Sequence, residues 1–312
     1  MASIPSGTLF APNFHTAVIY TMNVLLYGQV YKSSHRECLL DVLHTLRNEG
    51  LTAFSYTPYW EQADRNITDY PGVLPFQDFD QTPIDVIMAF GGDGTVLGAI
   101  STVNERQIPI MGINLGRLGF LSSIEGRLGG WAVKELAQKR YHFDERTMLY
   151  LQTDDRSIFP DSRLALNDFT LHKRDNSSMI TIHTYIDGEL LNSFWADGLI
   201  VATPTGSTGY SLSCGGPIIF PNSGNIVITP VAPHNLTVRP IVISDTSVIS
   251  FEIEGRADSF LCTLDSRFEA VTSSHQLSVR KADVKTRFIQ LYNYSFLRTL
   301  HDKLTWGRDS RN

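Results

Sequence analysis

Ile84-Asp-Val-Ile-Met-Ala-Phe90 runs without a break into Gly91-Gly92-Asp93-Gly94-Thr95, and this junction decides the fold. The apolar run reads as a strand buried on both faces of a parallel sheet, with a helix starting near Thr95. Glycines at 91, 92 and 94 let backbone N–H groups come close to a ligand, and the N-terminus of the next helix adds positive potential suited to phosphate. Asp93 breaks that logic. A carboxylate among such amides repels an anion unless it faces a hydroxyl whose proton it accepts, or a divalent cation. A tight turn with a helix-capping Asp fits the same residues.

Upstream, Met22–Tyr27 is a second buried strand, closed by Gly28. The helix after it has capping-box spacing at Ser34 and Glu37, an apolar stripe at Leu39, Val42, Leu43 and Leu46, and Gly50 at its C-cap. Leu51–Tyr56 is the next strand, followed by a polar, irregular stretch over 61–81. Downstream, Ile108–Ile113 leads into Asn114-Leu-Gly116-Arg-Leu-Gly119-Phe-Leu121. Strand and helix alternate to this point, which predicts an open, mostly parallel α/β sheet. Past Phe120 the texture becomes β-rich and antiparallel, with a hairpin turn at Ile186-Asp-Gly188-Glu. Phe288–Leu291 and a helix over Ser295–Leu304 then resume the first texture. The expected organisation is an extension over 1–21, an α/β domain over 22–122 to which 283–312 returns, and a β-rich domain over 123–282.

A second segment carries chemistry. Leu199–Ala202 reads as a strand, and the residues after it, to Pro217, surround four glycines with the hydroxyls of Thr203, Thr205, Ser207, Thr208, Tyr210, Ser211 and Ser213. Hydroxyls and free amides suit ribose and phosphate oxygens, and Tyr210 could stack on a ring; a solvated loop is the plain alternative. Asn167-Asp168 sets an amide beside a carboxylate at another strand end, a pair able to read an adenine edge and sugar hydroxyls, or simply to make a turn. His234 reads as structural. The chain has neither a P-loop nor the Gly-x-Gly-x-x-Gly dinucleotide fingerprint.

Composition narrows the classes. The 312 residues are 42% hydrophobic and 19% charged, which excludes a disordered chain. A formal charge of -6 is the wrong sign for a nucleic-acid or anionic-membrane binder, so a small-molecule ligand is expected. Cys38, Cys214 and Cys262 lie far apart, with no metal-binding spacing, and no apolar run is long enough to span a bilayer. A cytoplasmic protein is expected.

In order and spacing, Gly91–Thr95, Asn114–Leu121, Asn167-Asp168 and Asp197–Pro217 together resemble the NAD kinase family, over about 22–307. The resemblance implies transfer of the γ-phosphoryl of ATP to the 2′-hydroxyl of the adenosine ribose of NAD, with a divalent cation, Mg²⁺, and a homodimer or homotetramer whose site is shared between subunits. Asp93 would be the catalytic base. Nucleotide contacts would come from Gly91, Gly92, Gly94, Thr95, Asn167, Asp168, Asp197, Thr208, Gly209, Tyr210, Ser211, Leu212 and Ser213, with Ala232 reaching across a subunit contact; metal ligands stay unassigned. The family usually has Asn-Glu in place of Asn167-Asp168 and Thr-Ala-Tyr in place of Thr208-Gly209-Tyr210, and Trp195 stands where some relatives carry a basic residue. A lipid kinase of the diacylglycerol or sphingosine type, which shares the first glycine motif, and a silent NAD sensor are the alternatives.

Overall fold

The computed structural model describes residues 21–174, 178–292 and 295–304; the strand-like Ala17–Tyr20 lies outside them. Five parallel strands build the first half: β1 (Asn23–Tyr27), β2 (Thr52–Ser55), β3 (Val73–Pro75), β4 (Val86–Phe90) and β5 (Ile110–Asn114), in the spatial order β5-β4-β1-β2-β3. Between β1 and β2 lies α1 (Arg36–Asn48), whose buried stripe is Leu39, Val42, Leu43 and Leu46. Its end follows the sequence signal: Gly50 has φ +71°, and Leu51 N–H closes back on Leu46 O at 2.9 Å. Its start does not. No side chain caps α1; a short turn over Ser33–His35 precedes it, where Lys32 N–H donates to His35 Nδ1 at 3.3 Å. The irregular stretch holds two short helices, α2 (Thr57–Trp60) and α3 (Arg65–Thr68), before the edge strand β3.

After β4 comes α4 (Asp93–Val103), and after β5 the short parallel β6 (Ile124–Glu125) and α5 (Gly129–Ala137). The antiparallel half contains β7 (Tyr141–Thr153), β8 (Leu164–Ala165), β9 (Asp168–Lys173), β10 (Ile180–Ile186), β11 (Glu189–Ala196) and β12 (Gly198–Ala202). The single-turn α6 (Tyr210–Ser213) is followed by β13 (Asn225–Val231), β14 (Ile241–Ser244), β15 (Ile249–Glu254), β16 (Phe260–Leu264), β17 (Arg267–Val271), β18 (Leu277–Leu291) and α7 (Phe296–Leu304). The β10–β11 hairpin turns at Asp187 (φ +51°) and Gly188 (φ +87°), the backbone that an Asp-Gly turn favours.

Six strands form a purely antiparallel sheet ordered β14-β13-β12-β9-β16-β17. The remaining antiparallel strands continue the parallel sheet through one shared element. β18 pairs antiparallel with β15 at its start and with β7 along its length, and meets β5 in parallel at Phe288↔Ile110. The expected boundary at 282/283 therefore falls inside a single strand. One core cluster joins both halves, holding Val96, Ala99 and Ile100 of α4 with Leu121, Leu164, Leu166 and Phe288. At about 1.5–3 kcal/mol for each large buried side chain, this cluster locks α4 to the strand end that carries residues 167 and 168.

Candidate active site

Asp93 opens α4 two residues earlier than the sequence pattern suggests, so its carboxylate stands in the first helical turn. It is laced to the loop that follows β5. Oδ2 accepts Phe120 N–H at 2.9 Å, while Oδ1 accepts Leu121 N–H at 3.0 Å, Ser122 N–H at 3.1 Å and Ser122 Oγ–H at 3.1 Å. A β-carbon at Gly119 would collide with this carboxylate, so only glycine lets the loop come so close. Asn114 pins the same loop from below: Nδ2 donates to Arg117 O and Ser122 Oγ, and Oδ1 accepts Gly116 N–H. A carboxylate offers about four acceptor sites, two on each oxygen. Three donors crowd Oδ1 and one uses Oδ2, which leaves Oδ2 the oxygen able to take another hydrogen bond.

The amides of the glycine turn are only partly free. Gly91 N–H is spent on Ile113 O at 2.9 Å and Thr95 N–H on Gly92 O at 3.0 Å, so neither is open to a phosphate as the sequence suggested. The amides of Gly92, Asp93 and Gly94 stand at the start of α4, with Gly92 and Gly94 exposed.

Asn167 and Asp168 are held by a residue that no sequence motif marked. Asp265, in the β16–β17 turn with φ +54°, accepts the amides of Leu166 at 2.9 Å, Asn167 at 2.7 Å and Asp168 at 3.2 Å. The buried Asp168 side chain faces it. Burial, reinforced by the Asp265 carboxylate, pushes the Asp168 carboxyl up to about 7. Burial also raises Asp265, against the three amides and Arg267, which hold it down.

Thr203 ties the hydroxyl segment to the same strand end, its N–H donating to Asn167 O at 2.9 Å and its Oγ–H to Leu166 O at 2.5 Å. Gly206 packs so closely on the Asn167 carbonyl that a β-carbon there would overlap it. Much of the segment's hydroxyl content serves its own backbone. Ser207 Oγ donates to Pro204 O and accepts Ile219 N–H, Thr208 Oγ1 donates to Thr205 O, and Ser211 Oγ, fully buried, pairs with Thr229 Oγ1 at 2.8 Å. Ser211 therefore supports the pocket from behind, where the sequence reading had it lining the pocket. Gly209, half-buried Leu212 and exposed Ser213 remain near the surface. Tyr210 is 41% exposed, and burial, the Cys214 thiol and then the carboxylates of Asp168 and Asp197 all raise its phenol.

Asp197 is already balanced by Lys173 Nζ at 2.6 Å. Asp168 pairs with Ala202 and His172 with Gly198, so Asp168 and Asp197 sit at opposite ends of the β9–β12 pair, roughly 15 Å apart along the strands. Ala232, exposed and at φ +45°, follows β13 beside Asp197, whose N–H donates to Val231 O at 3.0 Å. Next to them the Trp195 and His234 rings lie 4.2 Å apart.

Arg146 is the other residue missed. Almost fully buried on β7, it binds Asp144 Oδ2 through Nε at 2.8 Å and Nη2 at 2.6 Å, and Nη1 donates to Thr205 Oγ1 at 3.2 Å. Asn222 Nδ2 reaches the other Asp144 oxygen at 3.4 Å, so one ion pair grips both ends of the 205–222 segment.

Comparison with known proteins places the chain among NAD kinases. Residues 56–141 match the model of the ATP-NAD kinase N-terminal domain and 166–291 that of the ATP-NAD kinase C-terminal domain. A NAD kinase of Cytophaga hutchinsonii is 53% identical, covering 73% of this chain and 78% of its own length. A NAD kinase of Christiangramia forsetii is 40% identical, covering 93% of this chain and all of its own. Among solved structures, a yeast NADH kinase complexed with NADH superposes with a TM-score of 0.83 at 24% identity, covering 93% of this chain and 89% of that one. A NAD kinase from Archaeoglobus fulgidus in complex with ATP gives 0.71 at 23%, covering 91% and 99%.

Proposed function

This chain belongs to the NAD kinase family, and from that premise we propose which of its residues carry the phosphoryl transfer. It is a phosphotransferase that moves the γ-phosphoryl of ATP to the 2′-hydroxyl of the adenosine ribose of NAD, giving NADP. The observation that carries the residue assignment is the spare acceptor site on Asp93 Oδ2 at the open start of α4. There the 2′-hydroxyl donates its hydrogen bond, with its oxygen in line for the γ-phosphorus, and passes its proton to Oδ2 as the new P–O bond forms and the bond from the γ-phosphorus to the β,γ-bridging oxygen breaks, ADP leaving with that electron pair. Such a transfer has a loose transition state, so orienting the hydroxyl matters more than abstracting its proton early. The amides of Gly92, Asp93 and Gly94 face the nucleotide phosphates, where the start of a helix favours negative charge.

Asn167 and Asp168 hold the adenosine end of NAD, and Asp197 a second part of the dinucleotide at the far end of the same strand pair. Thr208, Gly209, Tyr210, Leu212 and Ser213 line the pocket between them. The 123–282 region is the NAD-binding part, and 22–122 brings the catalytic turn. Among the described residues no group of three or more His, Cys, Asp or Glu side chains could hold a metal ion, and in this reading the spare acceptor site on Asp93 Oδ2 is taken by the 2′-hydroxyl. This donor set does not fit a protein-held cation; Mg²⁺ belongs with the ATP phosphates. A homodimer or homotetramer, with Ala232 at a subunit contact, is supported by its exposed turn beside Trp195 and by Leu236 at 85% exposure. A cytoplasmic location is supported by three unpaired cysteines. The comparisons lend no support to a lipid kinase or a silent sensor.

Incubation of the purified protein with ATP, Mg²⁺ and either NAD or diacylglycerol, followed by assay of NADP and of phosphorylated lipid, tests the reaction. NADP is the expected product; phospholipid without NADP would overturn it.

A further inference from the structure

Three rings from distant parts of the chain meet beside the catalytic turn. Phe296, the first residue of α7, has its ring centroid 6.2 Å from that of Phe120 and 5.2 Å from that of Phe220. Phe120 is the residue whose N–H binds Asp93 Oδ2. Phe220 follows Ile219, whose N–H binds Ser207 inside the hydroxyl segment. The helix that presents Phe296 is anchored by Leu300, which is fully buried, and its Lys303 Nζ stands 5.9 Å from the same Phe120 ring centroid. One ring thus bridges the loop that orients the catalytic carboxylate and the segment proposed to bind NAD.

We propose that Phe296 is a positioning residue for phosphoryl transfer, bracing Phe120, and through it Asp93 Oδ2, against the 203–220 segment. The inference rests on the reading of Asp93 as the group facing the 2′-hydroxyl. Phe120 donates to Asp93 through its backbone, so a shift of its ring moves the very amide that fixes Oδ2. Phe296 touches no nucleotide in this reading, so its loss acts on the geometry of transfer and not on substrate affinity.

The test uses the full chain in five forms: wild type, Phe296→Ala, Phe296→Leu, Phe120→Ala and the Phe120→Ala/Phe296→Ala double variant, with Asp93→Asn measured alongside. Because a displacement of about 1 Å costs roughly 100-fold in rate, Phe296→Ala is expected to lower kcat by about 10- to 100-fold. KM for NAD should stay within about twofold, the mark of an interaction expressed in the transition state. Phe296→Leu should recover most of the rate, and the double variant should be no slower than Phe120→Ala alone. Should Phe296→Ala fail to fold, Phe220→Ala, which removes the exposed ring that Phe296 braces against, replaces it in the same cycle with the same expected loss, and wild-type kcat in it would overturn the brace. Wild-type kcat in folded Phe296→Ala, or strictly additive losses, would overturn the brace; with Asp93→Asn inactive, the reading of Asp93 survives that result. Wild-type kcat in Asp93→Asn would instead overturn that reading.

Discussion

Asp265 Oδ1 accepts the Asn167 amide at 2.7 Å across 98 residues of sequence. The β16–β17 turn thereby sets the backbone of the strand end proposed to hold adenosine. Asp265→Ala leaves the buried amides of Leu166, Asn167 and Asp168 without their acceptor, at about 1–3 kcal/mol each. A lower melting temperature and a KM for NAD raised about tenfold or more are expected, with kcat less affected. Steady-state kinetics with thermal denaturation check this; an unchanged KM in a folded variant would show that the turn does not position the NAD site.

Asp168 gives the enzyme a pH dependence of known sign. Its folded value near 7 lies above the ordinary 3.8, so the fold favours its neutral form. The stability it contributes is full below about pH 4 and is lost as pH climbs to about 7. NAD acts the other way, because a ribose hydroxyl donates best to the ionised carboxylate. KM for NAD should fall as pH rises through about 7, and Asp168→Asn should flatten both profiles. An Asp168→Asn enzyme with the wild-type pH dependence of KM would remove Asp168 from the site.

The buried Asp144–Arg146 pair should behave as a unit. Removing one charge strands the other, at about 3–5 kcal/mol, whereas replacing both by apolar residues of similar size is far milder. Arg146→Met is therefore expected to be much less stable than Asp144→Leu/Arg146→Met, as chemical denaturation would show. Equal stability of the two would mean that the pair is solvated and does not grip the 205–222 segment.

Asp93→Asn changes more than one oxygen. The new amide group must face either Phe120 N–H or the three donors on Oδ1, so a donor meets a donor. We expect kcat to drop by about 100-fold or more, and the melting temperature to fall by several degrees. Loss of kcat with no change in melting temperature would show that these four bonds contribute nothing to stability.

The legible part of the molecule was its local grammar. The run from Ile84 to Thr95, the stripe and C-cap of α1, the Asp187-Gly188 turn and the closing strand and helix all carry their signals within a few adjacent residues. Asn114 and Gly119 also stood out in sequence, although their task, fastening a loop to Asp93, needs coordinates. What escaped acts over distance. Asp265 holds amides 97 to 99 positions away, and Arg146, although its ion-pair partner Asp144 is two residues off, reaches Thr205 across 59 positions; the sharing of β18 between two sheet textures likewise depends on which strands it meets. A single cue existed for Asp265: Leu264-Asp265-Ser266-Arg267 is a short polar turn between apolar alternations, where Asp tolerates a left-handed backbone. The hydroxyls of the 203–213 segment misled in the opposite direction, since side chains able to bind sugar oxygens equally satisfy their own loop.

The distance from Asp93 Oδ2 to the 2′-oxygen of bound NAD tests the account most directly. A crystal structure of the NAD complex should place the two about 2.6–3.2 Å apart, or joined by one water. An adenosine ribose lying farther from that carboxylate, with no water between them, would contradict it.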